Sequence, residues 1–284
     1  MGGQEVGDPH GCELFGCPGE FFLVGVEQVE PADNRVDVRS ADYFAGVFQC
    51  VDDAGMAAAT DDDEALVGVD DEGLVMGLLL PDAPVVAWWP SEAPARPSED
   101  PVGLLAQRRI TDALSAKNPI KAFEQRRANH VAGDTDLTWT RLTSWRALLA
   151  TALDAPPFEP VISAVVAGEV VSPSTDLLAG WLAARLDVKV KRSPAKTGEG
   201  MVSVRLERRS GPVELVRPDG KVGRLRQPGQ PDRLVALARR EVRDCIAEEL
   251  RRLDPDEIYA EALGGVGRVS KGRTPIEVPS LAGA

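Results

Sequence analysis

The sequence predicts a protein of mixed α/β to α+β class, in which the remnant of an N-terminal α/β domain precedes a C-terminal α+β domain with antiparallel strands and helices. Three observations support this class. The apolar run at residues 85–89 is typical of a buried strand. Apolar residues at three- and four-residue intervals across residues 142–153 indicate a helix buried on one side. Alternation across residues 202–206 indicates a strand with one face in solvent.

Charge divides the chain near residue 74. Residues 1–73 hold 18 acidic residues but only two basic ones, Arg35 and Arg39, and the first lysine is Lys117. The formal net charge of −13 therefore arises almost wholly in this segment. Because residues 1–73 also lack a sustained helical or strand period, they are unassignable in structure and are expected to pack poorly.

The rest of the chain divides into three parts. Residues 74–155 are predicted to form the end of the N-terminal domain with its connecting helices, residues 156–267 to form the C-terminal domain, and residues 268–284 to be a disordered tail.

Individual elements follow from the positions of capping residues and prolines. After the strand at residues 85–89, a polar helical stretch covers residues 102–123, and residues 133–136 open a second helix with an Asp or Thr as its N-cap. The apolar face of that helix comprises Leu142, Trp145, Leu149 and Leu153. Further predictions are a strand or short helix at residues 160–171, a helix capped by Ser174 or Thr175, antiparallel strands between residues 188 and 225, a helix at residues 232–253, and a last helix that ends at Leu263.

No metal or cofactor site is predicted. His10, Cys12 and Cys17 are ligand types that zinc accepts, but only the distant Cys50 and His130 are available to complete a set. The segment is therefore interpreted as unpatterned. Because the chain has two histidines in all, no Ser/His/Asp or Cys/His catalytic set can be assembled, and no catalytic residue is predicted.

Two carboxylates in the sequence Asp134-Thr135-Asp136 have the spacing with which a pair can share a divalent cation on a diphosphate. An Asp at a helix start also satisfies free backbone amides and faces the positive end of the helix dipole. Capping is the favoured interpretation, and metal binding is the alternative.

Adjacent arginines recur along the second part of the chain. The pairs are Arg108-Arg109, Arg126-Arg127, Arg208-Arg209, Arg239-Arg240 and Arg251-Arg252. Because aromatic residues are not interleaved with them, we interpret the pairs as solvated faces and predict no nucleic-acid partner. An anionic partner protein or a sugar phosphate is the alternative.

Neither a membrane segment nor secretion is expected. The longest apolar stretch, residues 74–89, is interrupted by Pro81, Asp82 and Pro84 and falls short of the roughly 20 residues that a membrane span needs. Four scattered cysteines with no charged-then-apolar leader favour a cytoplasmic protein.

Trp88 and Trp89 are neighbours on one predicted strand and therefore point to opposite faces of the sheet. Burial between two layers is the simpler interpretation, and an anchor in a protein interface is the alternative.

Five sequence motifs occur in one order over about residues 78–263. They are residues 78–90 (LLLPDAPVVAWWP), residues 108–113 (RRITDA), residues 133–143 (GDTDLTWTRLT) followed by Trp145 and Arg146, residues 177–182 (LLAGWL), and residues 251–259 (RRLDPDEIY). With these motifs the chain resembles the OpcA family of glucose-6-phosphate dehydrogenase assembly proteins.

The resemblance implies a cytoplasmic protein without catalysis of its own that binds glucose-6-phosphate dehydrogenase and promotes NADPH supply through the oxidative pentose phosphate pathway. We expect the partner contacts at the residues of these motifs. Trp145 is assigned to the core, and the contact candidates, chosen as exposed aromatic and charged groups, are Trp88, Trp89, Asp134, Asp136, Trp139, Arg141 and Arg146.

Family members carry an α/β domain ahead of the first motif that residues 1–73 do not resemble. This difference motivates the hypothesis that residues 1–73 are a wrong-frame or wrong-start translation, with a genuine acidic arm as the alternative. Three functions are open: an assembly or activating partner, which is favoured; a nucleotide-sugar or sugar-phosphate enzyme that uses Asp134 and Asp136; and a defective paralogue without its first domain.

Overall fold

Two β-sheets organise the protein, which is described here by a computed structural model at residues 21–25, 48–51 and 84–278. One sheet with parallel strands lies in the N-terminal part, and a mostly antiparallel sheet covered by helices forms the C-terminal part. This arrangement confirms the predicted fold class. Residues 1–20, 26–47 and 52–83 lie outside the described residues, and so do the predictions made for them, including those for His10, Cys12 and Cys17.

The N-terminal sheet has the strand order β2-β1-β3-β4-β5. Its elements are β1 (Phe21–Gly25), β2 (Phe48–Val51), β3 (Val85–Trp89), α1 (Pro101–Leu105), β4 (Arg108–Thr111), α2 (Pro119–Asn129) and β5 (Asp134–Asp136). Strand β1 is antiparallel to both β2 and β3, whereas β3, β4 and β5 are parallel to one another. Parallel neighbours need a crossover connection, and helices α1 and α2 supply the two crossovers.

Strand β4 corrects the prediction of one polar helix over residues 102–123. Its residues pair with β3 in the register Val86↔Arg108 to Trp89↔Thr111, and with β5 on the other side. A central strand is stabilised by hydrogen bonds to distant segments, so the local polar composition did not predict it.

The predicted helix at residues 133–153 is interrupted. Gly133 adopts a positive φ of 91° in the turn before β5, and the helical part is divided into α3 (Leu137–Thr140) and α4 (Thr143–Leu153). The apolar face was predicted well, because Leu142, Trp145 and Leu149 are buried.

The C-terminal sheet has the strand order β11-β10-β9-β8-β6-β7-β12. Its elements are β6 (Ser163–Gly168), α5 (Pro173–Leu186), β7 (Lys189–Pro194), β8 (Met201–Glu207), β9 (Val213–Val216), β10 (Val222–Arg226), β11 (Arg233–Ala236), α6 (Val242–Glu249), α7 (Glu257–Gly265) and β12 (Ser270–Lys271). The undecided segment at residues 160–171 thus contains a strand.

Two features of this sheet differ from the prediction. Strand β7 runs parallel to β6, because helix α5 returns the chain to the same end of the sheet. Residues 233–236 form a strand where a helix from residue 232 was expected, because they close a hairpin with β10 in the register Val222↔Ala236. Helix α6 begins only at Val242.

Helices α4, α5 and α7 cover the C-terminal sheet and share one apolar core with it. Helix α5 is buried around most of its circumference, through residues such as Leu177, Leu178 and Leu182. Its N-cap is Ser172, whose hydroxyl accepts a hydrogen bond from the Thr175 amide, rather than Ser174 or Thr175. Pro173 then occupies the first turn, where its missing N–H has no cost.

The prediction of a disordered tail is wrong for residues 268–278. Strand β12 pairs in parallel with β7, Ile276 forms a bridge with Ala195, and Val278 is buried. Residues 279–284 lie outside the described residues.

Helices α5 and α7 approach each other closely where Gly180 faces Gly265. A Cβ added at Gly265 would lie 2.1 Å from the Gly180 carbonyl oxygen, whereas one added at Gly264 would meet nothing within 4 Å. We expect Gly265→Ala to lower the free energy of unfolding by about 1–3 kcal/mol through overpacking. The neighbouring Gly264→Ala should raise it by up to about 1 kcal/mol, because alanine has the higher helix propensity. Urea unfolding followed by circular dichroism compares the two, and equal stabilities would contradict this close approach.

Candidate functional site

The predicted contact residues lie on strand β3 of the N-terminal sheet and in a segment that runs from the edge of that sheet into two helices. Trp88 and Trp89 belong to β3, and the other five belong to residues 133–146, which we call the signature segment. This segment runs through β5, α3 and the start of α4, so it connects the edge of the N-terminal sheet to the helices of the C-terminal part.

The two tryptophans on β3 point to opposite faces of the sheet, as predicted. Trp88 is 6% exposed and packs in a cluster with Ile110, Leu137 and Cys245 of helix α6. Trp89 is 3% exposed and packs against Val102 of helix α1. Burial between two layers is therefore confirmed, and a partner would reach either ring only after a covering helix had moved.

Asp134 forms a buried ion pair instead of a helix cap. One carboxylate oxygen lies 2.5 Å from Nε of Arg109, and the other accepts a hydrogen bond from the Val131 amide at 3.1 Å. Arg109 also donates to the carbonyl oxygens of Ala106 (2.8 Å) and Ala132 (2.6 Å). The pair therefore fixes the loops at the start of β4 and β5 against each other.

Asp136 is the helix N-cap that the sequence predicted. Its carboxylate accepts hydrogen bonds from the Thr138 amide (2.9 Å), the Ala113 amide (2.9 Å) and the Thr111 hydroxyl (2.6 Å). Burial, followed by the nearby carboxylate of Asp112, raises the pKa of Asp136 above its ordinary value. Three donors on one carboxylate oppose that rise by stabilising the charged form.

Arg141 forms a two-pronged ion pair with Asp112. Its two terminal nitrogens lie 2.6 and 2.7 Å from the two carboxylate oxygens. Asp112 also accepts hydrogen bonds from the Leu114 amide (3.2 Å) and the Ser115 hydroxyl (2.7 Å). The loop that follows β4 is thus tied to the end of helix α3.

Trp139 lies at the centre of a polar and aromatic contact with helix α7. Its indole N–H donates to Asp256 at 2.7 Å, and Asp256 also caps α7 by accepting from the Tyr259 amide at 2.9 Å. On its other side the guanidinium of Arg146 lies 3.5 Å from the centre of the Trp139 ring. Burial lowers the pKa of Arg146 to about 10, so it stays charged at neutral pH.

An additional buried ion pair, between Arg108 and Glu249, was missed by the sequence analysis. Arg108 on β4 lies 2.5 Å from the carboxylate of Glu249 on helix α6, and its guanidinium also donates to the Asp254 carbonyl at 2.8 Å. The second carboxylate oxygen of Glu249 accepts a hydrogen bond from the Thr140 hydroxyl. The two residues are 141 positions apart in sequence, so no local pattern indicates their pairing.

A similar contact is made by the preceding residue of helix α6, Glu248. Glu248 accepts from the Thr143 hydroxyl at 2.7 Å and from Arg240 at 2.5 Å, and Arg240 also donates to the Thr140 carbonyl at 2.9 Å. Helix α6 is therefore bound to the signature segment through two consecutive glutamates.

The interpretation of the arginine pairs as solvated faces is wrong for four side chains, because Arg108, Arg109, Arg126 and Arg208 are buried. The remaining members of the pairs are exposed or half-buried.

These contacts determine whether the signature segment can bind a metal ion. Asp134 and Asp136 are both engaged by protein donors, so a shared divalent cation would have to displace an ion pair or a helix cap. Within the described residues, no group of three or more His, Cys, Asp or Glu side chains is placed to hold a metal ion. The polar residues of this segment hold elements of the fold together.

Fold and site together define a protein with an N-terminal α/β part and a C-terminal α+β part whose signature residues join the two. Residues 64–128 match the family model for the N-terminal domain of a glucose-6-phosphate dehydrogenase subunit, and residues 132–263 match the model for its C-terminal domain. The two matches cover most of the chain in the expected order. The chain belongs to the OpcA family of glucose-6-phosphate dehydrogenase assembly proteins, which confirms the resemblance seen in the sequence.

Comparisons with individual proteins add little. No curated protein matches the chain. Among solved structures, KijD10, a 3-ketoreductase from Actinomadura kijaniata, matches in complex with NADP and TDP-benzene in an open conformation, with 9% identity over 66% of this chain and 78% of that one and a TM-score of 0.34. Another structure of KijD10 with the same two ligands matches with 10% identity over 61% and 74% and a TM-score of 0.30. Scores this low establish neither a shared fold nor a shared activity.

None of the helices in the described part of the chain combines the length and the hydropathy needed to cross a membrane.

The Arg108–Glu249 pair can be tested with a double-mutant cycle. Glu249→Leu should lower the free energy of unfolding by about 3–5 kcal/mol, because it leaves the Arg108 charge buried and unpaired. Adding Arg108→Met should recover part of that loss, since no buried charge then remains without a partner. Chemical denaturation of the wild type, the two single variants and the double variant measures the coupling.

The matched control is the exposed pair Arg185–Glu261, whose two side chains are each 49% exposed. Glu261→Gln should lower the free energy of unfolding by no more than about 1 kcal/mol, because the pair is exposed to solvent. If the losses in free energy of unfolding of the two single variants simply add in the double variant, the two residues are not mutually dependent. That result would contradict the buried pair.

Proposed function

We propose that the chain is a non-catalytic assembly or activating partner of glucose-6-phosphate dehydrogenase in the cytoplasm, and that it supports NADPH production in the oxidative pentose phosphate pathway. The observation that carries this proposal is the ordered match of residues 64–128 and 132–263 to the two domains of the family. The commitment of Asp134 and Asp136 to protein donors supports a role without catalysis by these residues.

Activation by a binding partner requires that the partner bind the active form of the dehydrogenase more tightly than the inactive form. A rigid surface serves this purpose well, because little conformational entropy is lost when it binds. The Arg108–Glu249 ion pair and the hydrogen bonds from the Thr140 and Thr143 hydroxyls support such rigidity, since they connect strand β4 and the signature segment to helix α6.

Among the predicted contact residues, Arg146 has the best access to a partner. It is half-buried and lies over the Trp139 ring, whereas the Arg141 side chain is 10% exposed and the other five residues are buried. We propose that Arg146 contributes directly to the contact. The other predicted contact residues then act mainly by supporting the surface from beneath. They are Trp88, Trp89, Asp134, Asp136, Trp139 and Arg141.

The binding and activation proposal is tested with the two purified proteins. We expect the chain to co-elute with glucose-6-phosphate dehydrogenase in size-exclusion chromatography with light scattering. It should also raise the rate of NADP⁺ reduction at a fixed dehydrogenase concentration. Absence of co-elution together with an unchanged rate would contradict the proposal.

The role of Arg146 is tested with Arg146→Ala. We expect a loss of about 1–3 kcal/mol in binding free energy, as for a charged interface residue, with the fold retained in circular dichroism. Arg185→Ala, at an exposed position on helix α5, is the matched control and should bind as the wild type does. Equal binding by the two variants would exclude Arg146 from the contact.

A further inference from the structure

Strand β11 lies at the open edge of the C-terminal sheet, with β10 as its one neighbour among the described strands. Its pairing with β10 continues beyond the strand, because the Leu237 amide donates to the Lys221 carbonyl at 3.3 Å. Backbone groups in an antiparallel pair point alternately to the neighbouring strand and away from it. Since Leu237 points to β10, Val235 does too, whereas Leu234 and Ala236 direct their N–H and C=O groups to the open edge. The edge thus offers free donors and acceptors to another strand.

The side chains beside this edge are accessible as well. Leu234 is 65% exposed and lies opposite Arg224 of β10, on the face of the sheet that the helices do not cover. The other face carries Val235 and Leu237, which pack into the core that the helices share with the sheet. A strand added at the edge would therefore cover Leu234 while it satisfies the free backbone groups.

The hairpin of β10 and β11 is basic in a chain that is acidic as a whole. Residues 220–240 contain six basic residues and one acidic residue, Asp232, whereas the chain has a formal net charge of −13. Asp232 is shared between Arg224 and Arg226, and Arg233 is exposed without an ion pair in the described part of the chain. Two copies of the chain paired through this edge would bring two basic hairpins together, so charge favours a partner strand with acidic side chains.

Building on the proposed function, in which the dehydrogenase is the partner, we propose that the open edge of β11 binds an extended, acidic segment of glucose-6-phosphate dehydrogenase. The segment becomes an additional strand of the C-terminal sheet. In this mode of recognition, main-chain hydrogen bonds supply affinity and side chains supply specificity. Leu234 contacts the added strand by apolar packing, and Arg233 contacts it by charge.

The edge of β11 lies close to the signature segment, which carries Arg146. Arg240 donates to the Thr140 carbonyl of that segment at 2.9 Å. Because Arg240 follows Ala236 by four residues, the Cα atoms of these two residues are at most about 14 Å apart. The edge and the signature segment are therefore close enough to belong to one contact surface.

Hydrogen exchange on the intact chain, with and without the dehydrogenase, tests this contact directly. We expect mass spectrometry of the peptide that covers residues 233–237 to show about two further protected amides in the complex, because the added strand bonds to alternate residues of β11. The exposed loop at Val170 and Val171 is the internal control and should exchange as it does in the free chain.

The backbone contact is tested with Ala236→Pro. Proline removes an N–H that points to the open edge and leaves the hydrogen bonds to β10 in place, so the sheet tolerates it. Binding of the dehydrogenase should weaken by about ten-fold or more, because an acceptor of the added strand loses its donor. Ala236→Thr, which keeps the N–H at the same position, is the matched control and should bind as the wild type does.

Thermal unfolding shows whether Ala236→Pro folds. Arg233→Glu provides an independent test, since it reverses an exposed charge and should also weaken binding by about ten-fold. Its control is Arg185→Glu, at an exposed position on helix α5, which should leave binding unchanged.

The proposal is overturned if the dehydrogenase co-elutes with the chain but residues 233–237 gain no protection, a result that leaves the proposed function intact. Protection that is complete in the free chain would overturn it too, because the edge would then be covered by a second copy or by another part of the chain. The mass measured by light scattering distinguishes these two. Binding by Ala236→Pro or Arg233→Glu as tight as that of its control also contradicts the contact. Failure to co-elute contradicts the proposed function itself, and this contact with it.

Discussion

The ion pair between Arg108 and Glu249 joins strand β4 of the N-terminal sheet to helix α6, across 141 positions in the sequence. Both side chains are at least nine-tenths buried. Neither charge can remain there without the other, because an uncompensated buried charge costs about 3–5 kcal/mol, a large share of the 5–15 kcal/mol that stabilises a typical domain. The position of helix α6 against strand β4 is therefore specified chemically as well as by apolar packing. The signature segment reaches the same ion pair through the Thr140 hydroxyl, which donates a hydrogen bond to Glu249.

Asp134, Asp136 and Trp139 of the signature segment each form a hydrogen bond with a residue outside the segment. Asp134 joins the loops at the start of β4 and β5, Asp136 caps α3, and Trp139 bonds to the residue that caps α7. The Arg146 guanidinium completes the set by covering the indole ring. A segment with so many internal partners is best understood as a structural joint, and we infer that its effect on a partner protein is exerted mainly through the shape of the surface above it.

Sequence reasoning predicted the elements whose own residues specify them. The burial of Leu142, Trp145 and Leu149 follows from helical spacing, and the opposite orientation of Trp88 and Trp89 follows from the strand period. Strand β4 was missed because its stability depends on pairing with two distant strands.

Strand β11 was missed for the same reason, since its pattern of Leu234 and Val235 fits a helix until the hairpin with β10 is considered. Only some of the contacts of the signature segment could be predicted from the sequence. Helix capping by Asp136 is local and was predicted, whereas the partners of Arg108 and Trp139 lie more than 100 residues away and leave no sign in the sequence.

Native-state hydrogen exchange tests most directly whether the signature segment joins the two parts of the chain. The account predicts that amides in β4, β5, α6 and α7 become exchangeable together, in one cooperative unit whose opening free energy falls equally throughout in Glu249→Leu. Opening of α6 and α7 at a much lower free energy than β4 and β5, with the Glu249→Leu effect confined to the helices, would contradict it.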